Sequence, residues 1–370
     1  MYRNKVWIVG LIIVLSALSG CKSAMVKQVD NEPSISMLVD DFKQHIIGKK
    51  IFSQGLIDGN QFYKRVNKHY DEISNLRKNS NDSIAGKQGM NVVIDRLYGS
   101  SQENCHQFDG VVVGERLKAF IECPIGEGFT IYELLIDYRR GSTRLVDIKI
   151  LTTGSWWSEV YASILSDKMG FSKIRESFKF IGEVRNGDVD YSKYYRLNGY
   201  IKTNRMLALS LNSVVSEPRI TAEMSESLEK ICPNDPECAL SVVDYYFVKG
   251  NYSKAIEKLE IARSYYPRSI ELSSLLVELY MDSGQAGKAL LVGQDNVWGK
   301  PASSNGFLEV FSAAAVIGDQ EKASSAAAAL VHGFHLKSDD IKNEYNQKLI
   351  EDPAFWQKVN DKIDRAMVQK

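Results

Sequence analysis

The 370-residue chain is predicted to hold an α+β domain, helices packed on a four-stranded antiparallel meander, followed by an all-α superhelix of repeated helical pairs. Three observations lead there. Four runs rich in β-branched and aromatic residues follow one another between 106 and 152, separated only by turn-sized glycine segments. Beyond Ser155 the chain is rich in Leu, Ala, Ser, Glu and Lys, and glycine and alanine recur there at a fixed interval. At the other end, an uncharged apolar run stops at an isolated cysteine, Cys21.

Arg3 and Lys5 precede the thirteen uncharged residues Val6 to Leu18, "VWIVGLIIVLSAL". A spanning helix needs about 20 apolar residues, so this is the layout of a cleaved secretory signal. The stretch Leu18-Ser19-Gly20-Cys21 resembles the lipobox of bacterial lipoproteins, whose small residues admit the signal peptidase to the bond before the cysteine. The resemblance implies a signal over 1–20 and a lipidated Cys21, so the bilayer is the first partner. Two or three acyl chains anchor stably where one does not. Lys22 stands where an aspartate would favour inner-membrane retention, which implies the outer membrane, facing the periplasm. Residues 21–33 are polar, without a clear period, and read as a tether. The alternative is an ordinary signal peptide with a cysteine near its cut site.

Charge is balanced, with Lys plus Arg and Asp plus Glu at 46 each, and loss of Arg3 and Lys5 with the signal leaves 44 basic residues. Nothing in that composition suggests a broad nucleic-acid surface, and no nucleic-acid partner is expected. Once Cys21 is lipidated, Cys105, Cys123, Cys232 and Cys238 remain, an even number in an exported chain. Local disulfides, 105 with 123 and 232 with 238, are the preferred pairing. A thiol metal site is the alternative, but neither pair has zinc spacing. His332 and His335 lie three apart with no evident third ligand, and no phosphate loop, nucleophile elbow or zinc-protease motif is present. No metal and no cofactor are expected.

The first domain spans 34–154. Residues 34 to 98 read as helices, with polar breaks at Gly55–Gly59 and Asn79–Gly89. The strands "HQFDGVVV", "ERLKAFIEC", "FTIYELLIDY" and "TRLVDIKILT" follow. A hairpin centred on Gly114 puts Cys105 opposite Cys123, where Cβ atoms are about 4.5–5.5 Å apart and a disulfide fits. Tyr132, Leu134, Ile136 and Tyr138 share one face of the third strand, and Val146, Ile148 and Ile150 one face of the fourth. Those faces are expected to pack on the helices, leaving Glu133, Asp137, Asp147 and Lys149 on a solvated face. The order of elements resembles the cystatin-like cone of nuclear-transport-factor-2-like domains, a likeness of topology alone. His106 and Asp109, near a strand start, are the candidate pocket residues of such a cone, without an evident catalytic partner. The chain is not expected to be an enzyme.

In the second half Gly250, Gly284 and Gly318 are separated by 34 residues, and Ala255, Ala289 and Ala323 repeat that interval. Tyr246 and Tyr280 precede the glycines, Ala262 lies late in a second helix, and Pro267 and Pro301 stand at terminating positions. Glycine allows a tight turn, alanine a close helix approach, and proline a stop. The pattern resembles tetratricopeptide (TPR) repeats, three of them over 236–337. Degenerate helical pairs over 155–235 precede them and capping helices over 338–370 follow. The second repeat departs from the pattern at Gly293, and the third at Ala314 and His335. An unrelated helical bundle is the alternative.

The resemblance implies a groove lined by the first helix of each pair. Its positions fall on Glu237, Leu240, Asp244 and Phe247, then Glu271, Ser274, Glu278 and Met281, then Asn305, Leu308 and Ser312. The set is acidic with apolar inserts and lacks the Lys and Asn residues that clamp a peptide C-terminus in some family members. The expected partner is a protein or peptide, basic and partly apolar, held by a membrane-anchored scaffold in the cell envelope. A second reading makes the cone a pocket that binds or modifies a small envelope molecule, with the repeats as docking arm. A deep pocket around His106 or Asp109 would favour the latter, and an open groove with a filled cone the former.

Overall fold

A computed structural model describes residues 33–73, 90–99 except 92 and 96, 105–113, 116–125, 128–138, 143–151, 154–167, 172–187, 190–298 and 304–368. The expected signal, Cys21 and the expected tether as far as residue 32 lie outside the described residues, and Pro33, placed at the tether's end, opens a helix. The chain is mixed α+β, with a five-stranded sheet ahead of a long run of helices. It forms two compact units: residues up to 149 with 156–162, and 150–155 with 163–370.

In the first unit, α1 (Pro33–Ile46) buries Ile35, Leu38, Val39, Phe42 and Ile46, the one-sided spacing of an amphipathic helix. The Phe42 ring meets Tyr132 and Phe52 edge-on, each at 5.9 Å. α2 (Gly59–Ile73) turns Phe62 and Val66 inward. The strands β1 (His106–Val113), β2 (Arg116–Ile125), β3 (Gly128–Asp137), β4 (Arg144–Ile150) and β5 (Ser155–Trp156) lie in sequence order. The two-residue β5 adds to the expected four strands. It leads into α3 (Trp157–Asp167), whose Tyr161 ring meets Phe62 at 5.9 Å.

Register refines the expected hairpin. Val113 pairs with Arg116, so the centre lies half a residue beyond Gly114, which by itself would misalign the cysteines. The register shifts between Gln107 and Asp109, and beyond that bulge His106 faces Glu122. The shift brings Cys105 opposite Cys123, and their sulfurs are joined at 2.17 Å.

One expectation for the sheet is corrected. Glu133, Asp137 and Asp147 are buried, and the Lys149 side chain is only 13 % exposed. Alternation put them on the face opposite Tyr132, as expected. That face is covered, and its charges are met by one another and by α2 and α3.

The second unit begins with α4 (Ser172–Arg185), α5 (Tyr191–Thr203), α6 (Arg205–Asn212) and α7 (Pro218–Ile231). Cys232 and Cys238 are bonded across the next turn at 2.11 Å. Three helical pairs follow: the broken helix α8 (Pro236–Ser241) and α9 (Val243–Val248) with α10 (Tyr252–Tyr265), α11 (Ile270–Asp282) with α12 (Ala286–Trp298), and α13 (Ser304–Ile317) with α14 (Gln320–Ala328). Gly250, Gly284 and Gly318 join the members of each pair at φ of 69°, 73° and 77°, a conformation that a Cβ would strain. Ala255, Ala289 and Ala323 are fully buried where second helices approach their neighbours. Lys254 lies over the Tyr246 ring and Lys288 over Tyr280, the same contact 34 residues apart.

Gly293 departs from the repeat for a steric reason. A Cβ there would lie 3.3 Å from Val310 Cγ2, so glycine lets α13 approach α12 closely. At the end of α14 a π-turn (Ala329–Gly333) leads to His335 at φ 58°, and this ends the helix where proline was expected. The chain closes with α15 (Gln347–Ile350) and α16 (Pro353–Val368), where Phe355 stacks on Phe311 at 5.7 Å.

Candidate functional site

The first-helix face of the three pairs divides into buried and open positions. Asp244, Glu278 and Asn305 are exposed, and Leu240, Glu271, Ser274 and Leu308 are half-buried. Phe247 is 40 % exposed, its ring edge-on to Tyr252 at 5.7 Å. These positions form an accessible face.

Three others are corrected. Glu237 is 2 % exposed: its carboxylate accepts from Arg205 Nη2 at 3.0 Å and from the Tyr266 hydroxyl at 3.1 Å. Arg205 also donates to Asp235 Oδ1 at 2.6 Å and to the Gly154 carbonyl at 2.5 Å. Glu237 therefore belongs to an internal ionic clasp, and a repeat pattern carries no sign of an arginine 32 residues upstream. Met281 is packed inside, and Ser312 is buried, its hydroxyl accepting from Asn343 Nδ2 at 2.8 Å.

The face also holds residues the repeat pattern missed. Glu309 Oε2 accepts from Asn296 Nδ2 at 3.2 Å. Burial pushes the Glu309 carboxyl above its ordinary range, bonds from Ser274 and Asn296 oppose this, and the charges of Glu278 and Glu271 push it further. Glu278 is exposed as a residue, yet neighbouring chain desolvates its carboxylate, and with Asp282 beside it the pKa is again raised. The Tyr345 hydroxyl donates to Asp282 Oδ1 at 2.9 Å, so the segment after α14 borders the same face. Glu271, Glu278, Asp282 and Glu309 thus make a crowded negative surface, with Leu308 next to Glu309 in the chain.

An open hollow of about 570 Å³ lies between Glu226, Glu229 and Lys230 of α7 and Tyr245 and Tyr246 of α9, with Lys249 just past the end of α9. Its charges balance, and the Lys249 ammonium already lies 4.1 Å from the Tyr245 ring centre. Burial, with the Glu229 charge next, pushes the Tyr246 phenol up to about 12.

The sheet holds a separate polar cluster. Asp147 accepts from Arg65 Nε at 2.7 Å, from the Ser158 hydroxyl at 2.6 Å and from the Ser158 amide at 3.1 Å. Burial raises its pKa, against the Arg65 charge and those hydrogen bonds. Lys118 pairs with Glu133 at 2.5 Å, and the Trp156 ring lies between Arg65 and Lys118, at 5.1 and 5.3 Å. Asp147 thus has the hydrogen bonds and counter-charge that a buried carboxylate requires, whereas Glu133 is met by the charges of Lys118 and Lys149. Asp109 is half-buried and accepts from the Gly110 amide at 2.8 Å, and His106 opens β1. His332 and His335 are both exposed, and no group of three or more His, Cys, Asp or Glu that could hold a metal occurs among the described residues.

Comparison with protein-family models, curated proteins and solved structures returned no match to this chain.

Proposed function

We propose that the chain is a lipoprotein of the bacterial envelope, acylated at Cys21, whose helical half is a TPR-like, non-enzymatic scaffold for a protein or peptide partner. One observation carries this reading: glycine, alanine and lysine recur at 34 residues, and each recurrence coincides with a helical pair turned on a left-handed glycine. Stacked pairs of that kind present an extended face along their first helices. Here the face is negative at Glu271, Glu278, Asp282 and Glu309, and the exposed Phe247 and half-buried Leu308 are its apolar members. Its partner is a basic, partly apolar segment, because like charges crowded on one surface are relieved by an opposite charge. The lipobox-like Leu18-Ser19-Gly20-Cys21 supports anchorage, and Lys22 supports the outer membrane.

A photo-reactive residue placed in cells at Asp244, Glu278 or Asn305 tests the scaffold. Cross-links from these positions to one common protein, absent from Leu291 of α12, are expected. Equal cross-linking from Leu291, or none from the three, would count against a groove.

A further inference from the structure

The turn after α1 holds an isoleucine out in water. Ile51 is 76 % exposed, between the exposed Lys50 and the buried Phe52, and Tyr98 beside the turn is 47 % exposed. This turn is firmly built. His45 accepts from the Phe52 amide on Nδ1 at 3.0 Å, while its Nε2 donates to the Ile94 carbonyl at 2.6 Å. The amides of Lys49 and Lys50 both bond the Gln44 carbonyl, and the Tyr98 hydroxyl donates to the Gly48 carbonyl at 2.7 Å. Gly48 and Gly99, at φ of 74° and 65°, meet back to back, where a Cβ on Gly48 would stand 3.3 Å from the Gly99 Cα. A buried histidine and two left-handed glycines therefore fix an edge that presents Lys49, Lys50, Ile51 and Tyr98 together. Around it, Lys43 pairs with Asp40 and Lys50 with Asp41, while Lys49 has no ion partner among the described residues.

We infer that this edge rests on the headgroup layer of the membrane to which the chain is anchored. The inference depends on the reading of Cys21 as the lipidated residue. Lysine beside isoleucine and tyrosine is the chemistry of that layer: the apolar group enters the acyl boundary, the phenol sits at headgroup depth, and the ammonium meets lipid phosphate. The length of chain ahead of α1 gives the reach. Eleven residues, 22–32, separate the anchor from Pro33, and the twelve steps between them, at about 3.3–3.6 Å each, can span at most roughly 40 Å. The 14 residues of α1 rise about 21 Å between the end of the tether and the turn. The tether therefore lets the turn touch the bilayer with α1 standing upright on it. A contact too weak to recruit a soluble protein is populated when an anchor holds it this close, because binding has become intramolecular.

The test replaces the native anchor so that the state of Cys21 does not enter. The mature chain from residue 22, with a hexahistidine ahead of it, is held on nickel-chelating vesicles of phosphatidylethanolamine and phosphatidylglycerol. An environment-sensitive dye is placed through Ser53→Cys, with Lys68→Cys on α2 as the comparison site. The expected result is a blue shift at 53 and quenching by nitroxide-labelled lipid, both lost with Ile51→Asp or Lys49→Glu, and neither effect at 68. Emission at 53 equal to that in free solution, or equal quenching at 68, would overturn the inference. Far-ultraviolet circular dichroism shows whether the variants are folded. Failure of palmitate labelling at Cys21 would remove the anchor reading and leave this measurement intact.

Discussion

Replacing Glu237 by alanine separates an internal clasp from a binding face. The change removes an acceptor from Arg205 at 3.0 Å and from the Tyr266 hydroxyl at 3.1 Å, at a residue 2 % exposed. Breaking a buried ion pair costs about 3–5 kcal/mol. Arg205 keeps Asp235 and the Gly154 carbonyl, and its side chain is 29 % exposed, so the low end applies, about 3 kcal/mol in all. For a unit of some two hundred residues this lowers Tm by about 6–12 °C. Glu237→Gln retains an acceptor and should lose less than half as much. Calorimetry is the assay, because the change should move the transition of the helical unit and leave that of the sheet unit in place. A coupling energy near zero between Glu237→Ala and Arg205→Ala in a double-mutant cycle would refute the clasp. So would a variant that melts like the parent but no longer binds partner.

Three further outcomes are expected. Gly293→Leu should destabilise the helical unit by about 1–3 kcal/mol through overpacking against Val310, whereas Gly293→Ala should be near neutral, its contact at 3.3 Å offset by better helix propensity, as paired melts would show. Glu278 has a folded pKa raised by burial and then by Asp282, above an unfolded value of about 4.3, so its ionisation costs stability, and this cost vanishes as pH falls from neutral through the folded pKa. Glu278→Gln should therefore raise Tm at pH 7 and lose that advantage near pH 4, and a Tm difference independent of pH would contradict this. Cys21→Ser should abolish palmitate labelling and block normal signal removal, and persistent labelling would place the anchor elsewhere.

What could be read from the sequence was local. Left-handed turns admit few residues besides glycine, so Gly250, Gly284 and Gly318 announced themselves, and the small Ala255, Ala289 and Ala323 marked close helix contacts. Alternation likewise told which strand residues share a face. It could not tell which face is covered, because the groups that bury Glu133 and Asp147 come from elsewhere in the chain, Arg65 being 82 residues ahead of Asp147. The same limit hid the role of Glu237. The bulge beside Phe108 shows a partial success: the cysteine pair was legible from its spacing, but the half-residue error in the hairpin centre was not, since a bulge has no sequence mark of its own. Gly293 broke the repeat pattern visibly, and only the packing of Val310 explains why.

Charge reversal decides whether the first-helix face of the repeats holds a basic partner. Asp244, Glu278 and Asn305 are exposed and, unlike Glu237, take no part in the clasp, so changing all three to lysine should leave the fold intact. Single exposed pairs contribute at most about 1 kcal/mol, so the three belong in one variant. The measurement is retention, by the immobilised mature protein, of whichever envelope protein cross-links to Asn305. The triple variant should retain that protein at least about tenfold less well while melting no lower than the parent, and added salt should weaken the parent complex. Retention equal to that of the parent at low salt would rule out this face as the binding surface.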